Sequence, residues 1–506
     1  MPLNLVSTSV STPPPVGGWD TRESLADMPE THAVILSNFF PETDVVRVRR
    51  GNTSHATGMS GEVQSLIEYV PKSGTGALFA ANAGNIYDVT SAGAVGAAVS
   101  SGHSNDKWQH VNLGTSAGQF VRCFNGADTP LLYNGSTWAT TAITGPTATN
   151  LVWGNLHQRR LWVGEINSLS AWYLAANAVS GSATEFSLAG IARLGGFIMA
   201  MGTWTRDAGD GMDDVAGYLT SEGEAIIYQG TDPAAVATWG LIGVFRIGKP
   251  IGRRCLVKAG SDLILVTQDG FVPLSGILTM DRRQTRLVAL SDQISRAVNE
   301  AVRRYGDLHG WQPILYPKST QLIFNIPLSS QKSEQYVFNT ITGAPCKYEG
   351  VNALCFGLLN DELYWGGRAG VVFKADSGTT DDGTAISADG MQAFNYFGSP
   401  QATKAFKEAE PIFESDGNPN ASIEMNTDFQ QKPPVGVAAA SNVSSGVWGI
   451  AKWGSGRWGT ALQIYRGWRG VRGTGRAGSI RVRIDTSLAR PGWVSTNVRF
   501  IKGGQI

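Results

Sequence analysis

The stretch QFVRCFNGADTPLLYNG, residues 119–135, holds two short apolar runs, and each run ends in an Asn-Gly pair. Asn-Gly between apolar runs is the strongest short-range signal for a tight β-hairpin, because both residues accept the positive φ that such turns require. The same succession of short strand and turn recurs from about residue 62 to residue 376. The sequence therefore predicts a long series of antiparallel hairpins.

The hairpins group into repeats whose starting residues can be marked along the chain. Their average spacing is about 45 residues, within the range of propeller blades. The spacing is uneven, and a large β-sandwich with insertions is the competing interpretation. The predicted fold class is mainly β: a β-propeller of about six or seven blades, an additional antiparallel β domain and one inserted amphipathic helix. The seven candidate starts are Ser65, Gln119, Arg159, Ala225, Asp262, Gln321 and Ala353.

The predicted organisation has three parts. Residues 1–61 form an extended arm with interface strands, residues 62–383 form the propeller-like repeat region, and residues 384–506 form a C-terminal antiparallel β domain. The helix is predicted at about residues 291–305 within the repeat region, because apolar residues recur there at helical spacing.

Composition limits the class of protein. The 506 residues are 42% hydrophobic and 16% charged, and 62 glycines favour short strands joined by turns. The 4 cysteines show no CxxC spacing, so neither a zinc site nor a disulfide framework is predicted. No apolar stretch approaches the roughly 20 residues that a membrane-spanning helix needs. The N-terminus lacks the pattern of a signal peptide, so we expect assembly in the cytoplasm.

The last 61 residues, 446–506, differ in charge from the rest of the chain. They hold 11 of the 41 Lys and Arg residues and a single acid, Asp485, for a net charge of +10. Since the whole chain is neutral, residues 1–445 carry −10. The two parts are expected to face different surroundings, or one part to receive the other from a neighbouring subunit.

The same C-terminal segment contains 5 of the 15 tryptophans, three of them in evenly spaced Trp-Gly pairs. Trp and Arg are enriched at protein–protein hot spots, which favours a contact surface. Two other interpretations are a small β domain with Trp in its core and solvated Arg, and a nucleic-acid site that uses stacking and phosphate contacts. The candidate interface residues are Trp448, Trp453, Trp458, Arg466, Trp468, Arg469, Arg472, Arg476, Phe39, Phe40, Arg47 and Arg49.

Catalytic motifs appear without the structural context that they need. Residues 114–118 match GxSxG and residues 473–478 match GxGxxG, but apparent strands follow both where a helix is required. The 6 histidines show no ligand spacing. The acidic loops at residues 207–214 and 376–382 could hold Ca²⁺, although solvated loops are the preferred interpretation. No catalytic residue, cofactor or metal is predicted, and we do not expect an enzyme.

Three patches of sequence, in this order, carry a resemblance to a known family. The first is GGWDTR at residues 17–22 with NFFP at 38–41 and VRRG at 48–51. The second is GVVFKAD at residues 370–376 leading to TDDG at 380–383, and the third is the set of terminal Trp-Gly pairs with the Gly-rich stretch after them. The chain thereby resembles the tail nozzle or hub proteins of short-tailed phages, including the packaged-DNA stabilisation proteins.

That resemblance implies a virion protein of the phage tail, a homohexameric ring below the head–tail adaptor with the propeller outside and β domains in the tube wall. Its partners would be further copies of the chain, the adaptor, and tail fibre or tail needle proteins. Double-stranded DNA would pass through the lumen without sequence-specific binding, so we expect Arg466, Arg469, Arg472 and Arg476 to contact a neighbouring subunit or the adaptor. The alternatives are a propeller-type glycan-degrading enzyme and a receptor-binding tail protein.

Overall fold

A computed structural model describes residues 7–207, 212–260, 262–279, 289–435 and 462–505. The chain divides into two compact units. We call the first the sheet unit; it comprises Met1–Thr53, Gln335–Val351 and Ala375–Ile506. We call the second the propeller unit; it comprises Ser54–Glu334 and Asn352–Lys374. Residues 335–351, which lie inside the predicted repeat region, thus group with the sheet unit.

The sheet unit opens with five strands, and a sixth strand leads into the propeller unit. They are β1 (Ser7–Thr12), β2 (Gly18–Trp19), β3 (His32–Ser37), β4 (Phe39–Pro41), β5 (Val46–Val48) and β6 (Thr53–Thr57).

The first four blades of the propeller unit are four-stranded sheets of antiparallel neighbours. Blade 1 has β7 (Val63–Tyr69), β8 (Ala77–Asn82), β9 (Asn85–Asp88) and β11 (Ser100–Ser101), with β10 (Gly93–Ala94) between the last two in sequence. Blade 2 has β12 (Gln109–Thr115), β13 (Gly118–Phe124), β14 (Leu131–Tyr133) and β15 (Trp138–Thr140). Blade 3 has β17 (Leu151–His157), β18 (Arg160–Glu165), β19 (Ser170–Tyr173) and β21 (Thr184–Ser187). Two short strands outside this sheet, β16 (Ile143–Thr144) and β20 (Gly181–Ser182), pair with each other. Blade 4 has β22 (Ile198–Asp207), β23 (Met212–Thr220), β24 (Glu224–Gly230) and β25 (Trp239–Arg246).

The remaining blades are less regular. Blade 5 has β26 (Leu256–Ala259), β27 (Asp262–Thr267) and β28 (Gly270–Pro273), followed by the helices α1 (Leu274–Thr279) and α2 (Ser295–Tyr305). Blade 6 contributes the hairpin of β29 (Gln312–Tyr316) and β30 (Gln321–Pro327) to the propeller unit, and β31 (Ser333–Asn339) and β32 (Pro345–Tyr348) follow. Blade 7 has β33 (Cys355–Leu359), β34 (Glu362–Gly366) and β35 (Val372–Lys374), and β6 and β10 extend its sheet. A strand from before blade 1 thus completes the last blade.

The innermost strands form a closed ring. They are β7, β12, β17, β22, β26, β29 and β33; each contacts the next, and β33 contacts β7. The predicted mainly β fold with a propeller is confirmed, and the sandwich interpretation is wrong. Each predicted repeat start lies in or beside a different blade. At the two quoted turns, Gly126 and Gly135 have φ of 70° and 94°, but neither asparagine has a positive φ. The strands are joined there by loops of six residues, 125–130, and four residues, 134–137, and not by the tight two-residue turn that the sequence predicts.

Aromatic side chains fill the spaces between blades. Between blades 3 and 4, Trp162 is fully buried and stacks on Trp239 at a centroid distance of 5.6 Å. Between blades 1 and 2, the ring of Phe79 meets that of Tyr133 edge-on at 4.9 Å. Burying one such side chain contributes about 2–3 kcal/mol, so these layers hold neighbouring blades together.

The predicted amphipathic helix is confirmed as α2. Val298 and Ala301 are buried on one face, while Arg303 and Arg304 are exposed on the other. A short 3₁₀ turn, Asp292–Ile294, precedes it. Within the described ranges, no helix is long and apolar enough to cross a membrane.

The C-terminal part of the sheet unit contains long paired strands. β38 pairs on one side with β43 and on the other with β40 and β41, while β37 lies between β3 and β42. The side chains of Trp493 and Phe500 on β43 are fully buried. The strands of this part are β36 (Thr380–Asp381), β37 (Thr384–Gln392), β38 (Ala402–Ser415), β39 (Ser422–Thr427), β40 (Gln463–Tyr465), β41 (Arg469–Gly475), β42 (Gly478–Thr486) and β43 (Gly492–Gln505).

Candidate interface and central cavity

The N-terminal aromatic candidates lie inside the sheet unit. Phe39 is 0% exposed and Phe40 6% exposed, and the ring of Phe39 packs against that of Trp493 at a centroid distance of 6.3 Å. These side chains therefore contribute to the core of their own unit, and neither offers surface to another subunit in this conformation.

The N-terminal arginines are bonded within the same unit. Arg49 is buried and donates from its two terminal nitrogens to Asp381, at 2.8 and 2.5 Å, and from Nε to Asn38 at 2.8 Å. Arg47 pairs with Glu414 and, at 3.3 Å, with Glu42. Burial opposes these pairs, but the carboxylates outweigh it and raise the pKa of Arg47. Both arginines join sequence-distant parts of the unit.

The acidic loop at residues 376–382 is partly engaged by these contacts. Asp381 accepts from Arg49 and, at 2.7 Å, from the Asn52 side-chain amide. Over the described ranges, no group of three or more His, Cys, Asp or Glu is arranged to hold a metal ion. Most acidic side chains of the other candidate loop, at 207–214, lie outside the described residues.

The C-terminal candidates lie on an exposed sheet edge. Arg466, Trp468, Arg469 and Arg472 are exposed on β41 and the segment before it, and Arg476 is exposed at the turn after β41. The guanidinium of Arg499 lies 4.2 Å from the ring centroid of Trp468. The structure thus exposes all five predicted residues of this segment along one strand and its two ends. The other three, Trp448, Trp453 and Trp458, lie outside the described residues.

Two exposed aliphatic residues, not singled out from the sequence, join this patch. Leu462 is 54% exposed and Ile464 61% exposed, whereas aliphatic side chains in strands are usually buried. We call Leu462, Ile464, Arg466, Trp468, Arg469 and Arg472 the edge surface. Among the described strands, none pairs with β40 or β41 on the side away from β38. An unpaired strand with apolar and cationic side chains can pair with another polypeptide.

A cavity of about 220 Å³ occupies the centre of the propeller unit. All seven innermost strands contribute to its wall, and its polar lining comes from a small group of half-buried side chains. They are Glu68, Gln109, His110, Arg253, Arg254 and Gln312.

Arg254 is the most connected of these residues. One terminal nitrogen donates to the carbonyl of Gln64 at 3.1 Å, to the hydroxyl of Ser65 at 2.6 Å and to the carbonyl of Trp108 at 3.0 Å. Because Arg254 precedes the first strand of blade 5, these bonds tie that blade to blades 1 and 2. Burial lowers the pKa of Arg254, yet the guanidinium stays cationic at neutral pH.

Glu68 and His110 are neighbours, and burial shifts their pKa values in opposite directions. Burial raises the pKa of Glu68 to about 7, although its carboxylate accepts from the backbone N–H of Leu358. Burial and the charge of Arg254 lower the pKa of His110 to about 4. The neutral His110 accepts from the backbone N–H of Glu68 through Nε2 at 3.4 Å. Glu68 is the single carboxylate lining this cavity in the described chain, so the paired carboxylates of a typical glycosidase are not assembled here.

The sequence matches no family model, and the search of curated proteins finds no match. Among solved structures, BBS1N in complex with ARL6DN is 10% identical, with 66% of this chain and 99% of that chain covered and a TM-score of 0.42. BamB from Moraxella catarrhalis is 12% identical, with 73% and 97% covered and a TM-score of 0.34. An exo-β-1,3-galactanase from Phanerochaete chrysosporium is 11% identical, with 77% and 95% covered and a TM-score of 0.29. Likeness at this level carries no argument about what the chain does.

Proposed function

We propose that the chain is a structural subunit of a bacteriophage tail. Six copies form a ring-shaped nozzle or hub below the head–tail adaptor, which retains packaged DNA and conducts it when the genome is ejected. The proposal rests on the resemblance of the three sequence patches. The structural observation that supports it is the edge surface, a cationic and aromatic strand edge that none of the described strands pairs with and that suits a neighbouring subunit.

Charge supports a protein partner for the edge surface. The C-terminal 61 residues carry +10, and the rest of the chain carries −10, so each copy contains both complementary charges. The edge surface also combines Trp468 with three arginines, and Trp and Arg are residue types enriched at protein hot spots. Tight phosphate contacts would slow DNA in transit, so the arginines of a conduit serve better between subunits than along the bore.

Substituting the edge surface is expected to prevent ring assembly. Ile464→Asp combined with Arg472→Glu replaces an apolar anchor and reverses one charge at exposed positions, so folding should be preserved. Loss of a hot spot costs at least about 2 kcal/mol, or roughly 30-fold in affinity per interface. Native mass measured at a fixed protein concentration should fall from the ring to smaller species.

The matched control is Arg303→Glu, an equal charge reversal at an exposed position on α2. It should assemble like the wild type, and circular dichroism should show all variants folded. A double variant that forms rings as readily as the wild type would exclude the edge surface as the subunit contact.

The two alternative functions remain open to direct assays. A propeller-type glycan-degrading enzyme would depolymerise host surface glycan, and a receptor-binding tail protein would typically form an elongated trimer. The central cavity, with its single lining carboxylate, does not favour the enzyme.

A further inference from the structure

A second cavity, of about 370 Å³, lies in the propeller unit beside the central one. The two cavities share three lining residues, Gln109, Arg253 and Arg254. Its volume is within the range of small-molecule sites, roughly 300–1,000 Å³. Its location is independent of the edge surface, and the inference below does not rest on the proposed function.

The charged lining of this second cavity is entirely cationic. Lys107, Arg253 and Arg254 contribute to its wall, and no carboxylate does so among the described residues. Arg253 is half-buried and donates weakly to the carbonyls of Ile198 and Met199, at 3.4 and 3.5 Å. The partners of Arg254 are likewise uncharged oxygens. Cations that line one cavity repel each other, and an anion bound in the cavity would offset this repulsion.

Nearby carboxylates are engaged elsewhere. Asp106 accepts from the backbone N–H of Gly84 at 2.9 Å. Asp128 accepts from the hydroxyl of Ser104 at 2.6 Å and from the side-chain amide of Asn125 at 2.6 Å. Neither aspartate lines the cavity. Among the described residues, the charged side chains in direct contact with the cavity are therefore all cationic.

His309, which also lines the cavity, contributes a hydrogen-bond acceptor. Burial, together with the charges of Arg254, Lys107 and Arg368, lowers its pKa to about 3, so the ring is neutral at physiological pH. A bond to the backbone of Gln64 occupies one ring nitrogen. The other, Nε2, is buried and has no partner in the described part of the chain. In the neutral ring the nitrogen without the proton is an acceptor, which suits a hydroxyl donor.

The rim of the cavity is apolar. Ile166 and Leu308 are each 39% exposed, and Trp311 and Val152, which also line the cavity, are buried. Apolar and aromatic walls with a few convergent polar groups are typical of sites for small organic ligands.

We propose that this cavity binds a small organic anion that also carries a hydroxyl group. Its phosphate or carboxylate lies against Lys107, Arg253 and Arg254, its hydroxyl donates to His309, and its body packs on the apolar rim. Phosphate and carboxylate ligands would both present anionic oxygens to these cations. Two probes distinguish the two groups: adenosine 5′-monophosphate tests a phosphate, and citrate tests a carboxylate.

Calorimetric titration of the full chain tests this site. We expect saturable binding of at least one probe, and the tighter probe identifies the anionic group. Lys107→Gln and Arg253→Gln should each weaken that binding at least fivefold, because each removes a cation from the wall. Lys107 is exposed, so its variant should fold, and the melting temperature checks both variants. The matched control, Lys72→Gln, removes an equally exposed cation that does not line the cavity and should bind like the wild type.

A comparison of ligands tests the same site without any variant. Adenosine lacks the phosphate and should bind at least fivefold more weakly than adenosine 5′-monophosphate if the phosphate is the recognised group. The proposal is overturned if neither probe binds saturably at 10 mM. It is also overturned if the cavity variants weaken binding less than fivefold, or if removing the phosphate from a bound nucleotide leaves its affinity unchanged.

Discussion

Replacing Lys404 by methionine is expected to lower the free energy of unfolding of the sheet unit by about 3–4 kcal/mol, since charge-assisted hydrogen bonds are worth roughly 1.5–3 kcal/mol each and do not add fully. Lys404 is fully buried on β38. Its ammonium donates to the carbonyls of Ser399 at 2.7 Å, Ala402 at 3.0 Å and Arg476 at 2.7 Å. Methionine fills a similar volume but cannot donate, so three acceptors would lose their partner.

Lys407→Met is the matched control, because Lys407 is an exposed lysine on the same strand. It should change the free energy of unfolding by less than about 0.5 kcal/mol, as is usual for surface substitutions. Urea denaturation followed by circular dichroism measures both variants. If the two variants have the same midpoint, the three carbonyl contacts are not a significant source of stability.

Replacing Glu68 by glutamine is expected to stabilise the propeller unit increasingly as the pH rises. Burial raises the pKa of Glu68 from its ordinary 4.5 to about 7. Between these pH values the folded protein retains a proton that the unfolded chain has released, so the Glu68 contribution to stability falls as the pH rises. Glutamine cannot ionise, so the variant does not lose this stability. The resulting difference in the free energy of unfolding is about 3 kcal/mol above pH 7.

The histidines of the propeller unit act in the opposite direction. Burial lowers the pKa of His110 from 6.5 to about 4 and that of His309 to about 3. As the pH rises through this interval, the unfolded chain holds more protons on these residues than the folded chain, so their contribution to stability increases. The wild-type profile therefore combines both effects, and the difference between variant and wild type isolates Glu68.

Urea denaturation at a series of pH values from 4 to 8 measures that difference. We expect a roughly constant value below pH 4.5, a rise between pH 4.5 and 7, and a plateau near 3 kcal/mol above the low-pH value. A difference that stays flat across the range would mean that the Glu68 carboxyl is solvated in the folded protein and ionises at its ordinary pKa.

The part of the fold that could be predicted from the sequence is the part determined by neighbours in the chain. Asn125-Gly126 and Asn134-Gly135 mark turns because glycine readily adopts the positive φ that Gly126 and Gly135 have. The composition of blade 7 could not be predicted, because β6 comes from before the first blade and joins strands about three hundred residues later. No local pattern specifies such a pairing.

The same limit applies to the sites. Phe39 and Phe40 suit an interface or a core equally well in sequence, and only the packing against Trp493 shows that they are core residues. Arg253 and Arg254 look like surface charges in sequence. The ring of blades places them around two internal cavities. The exposure of Arg469 and Arg472 on β41 could be predicted from residue type, because arginine side chains are mostly exposed.

Electron microscopy of the negatively stained, purified chain tests the proposed tail subunit most directly. We expect class averages of closed rings with six-fold symmetry. Monomeric particles at micromolar concentration, or elongated trimers, would contradict the proposal.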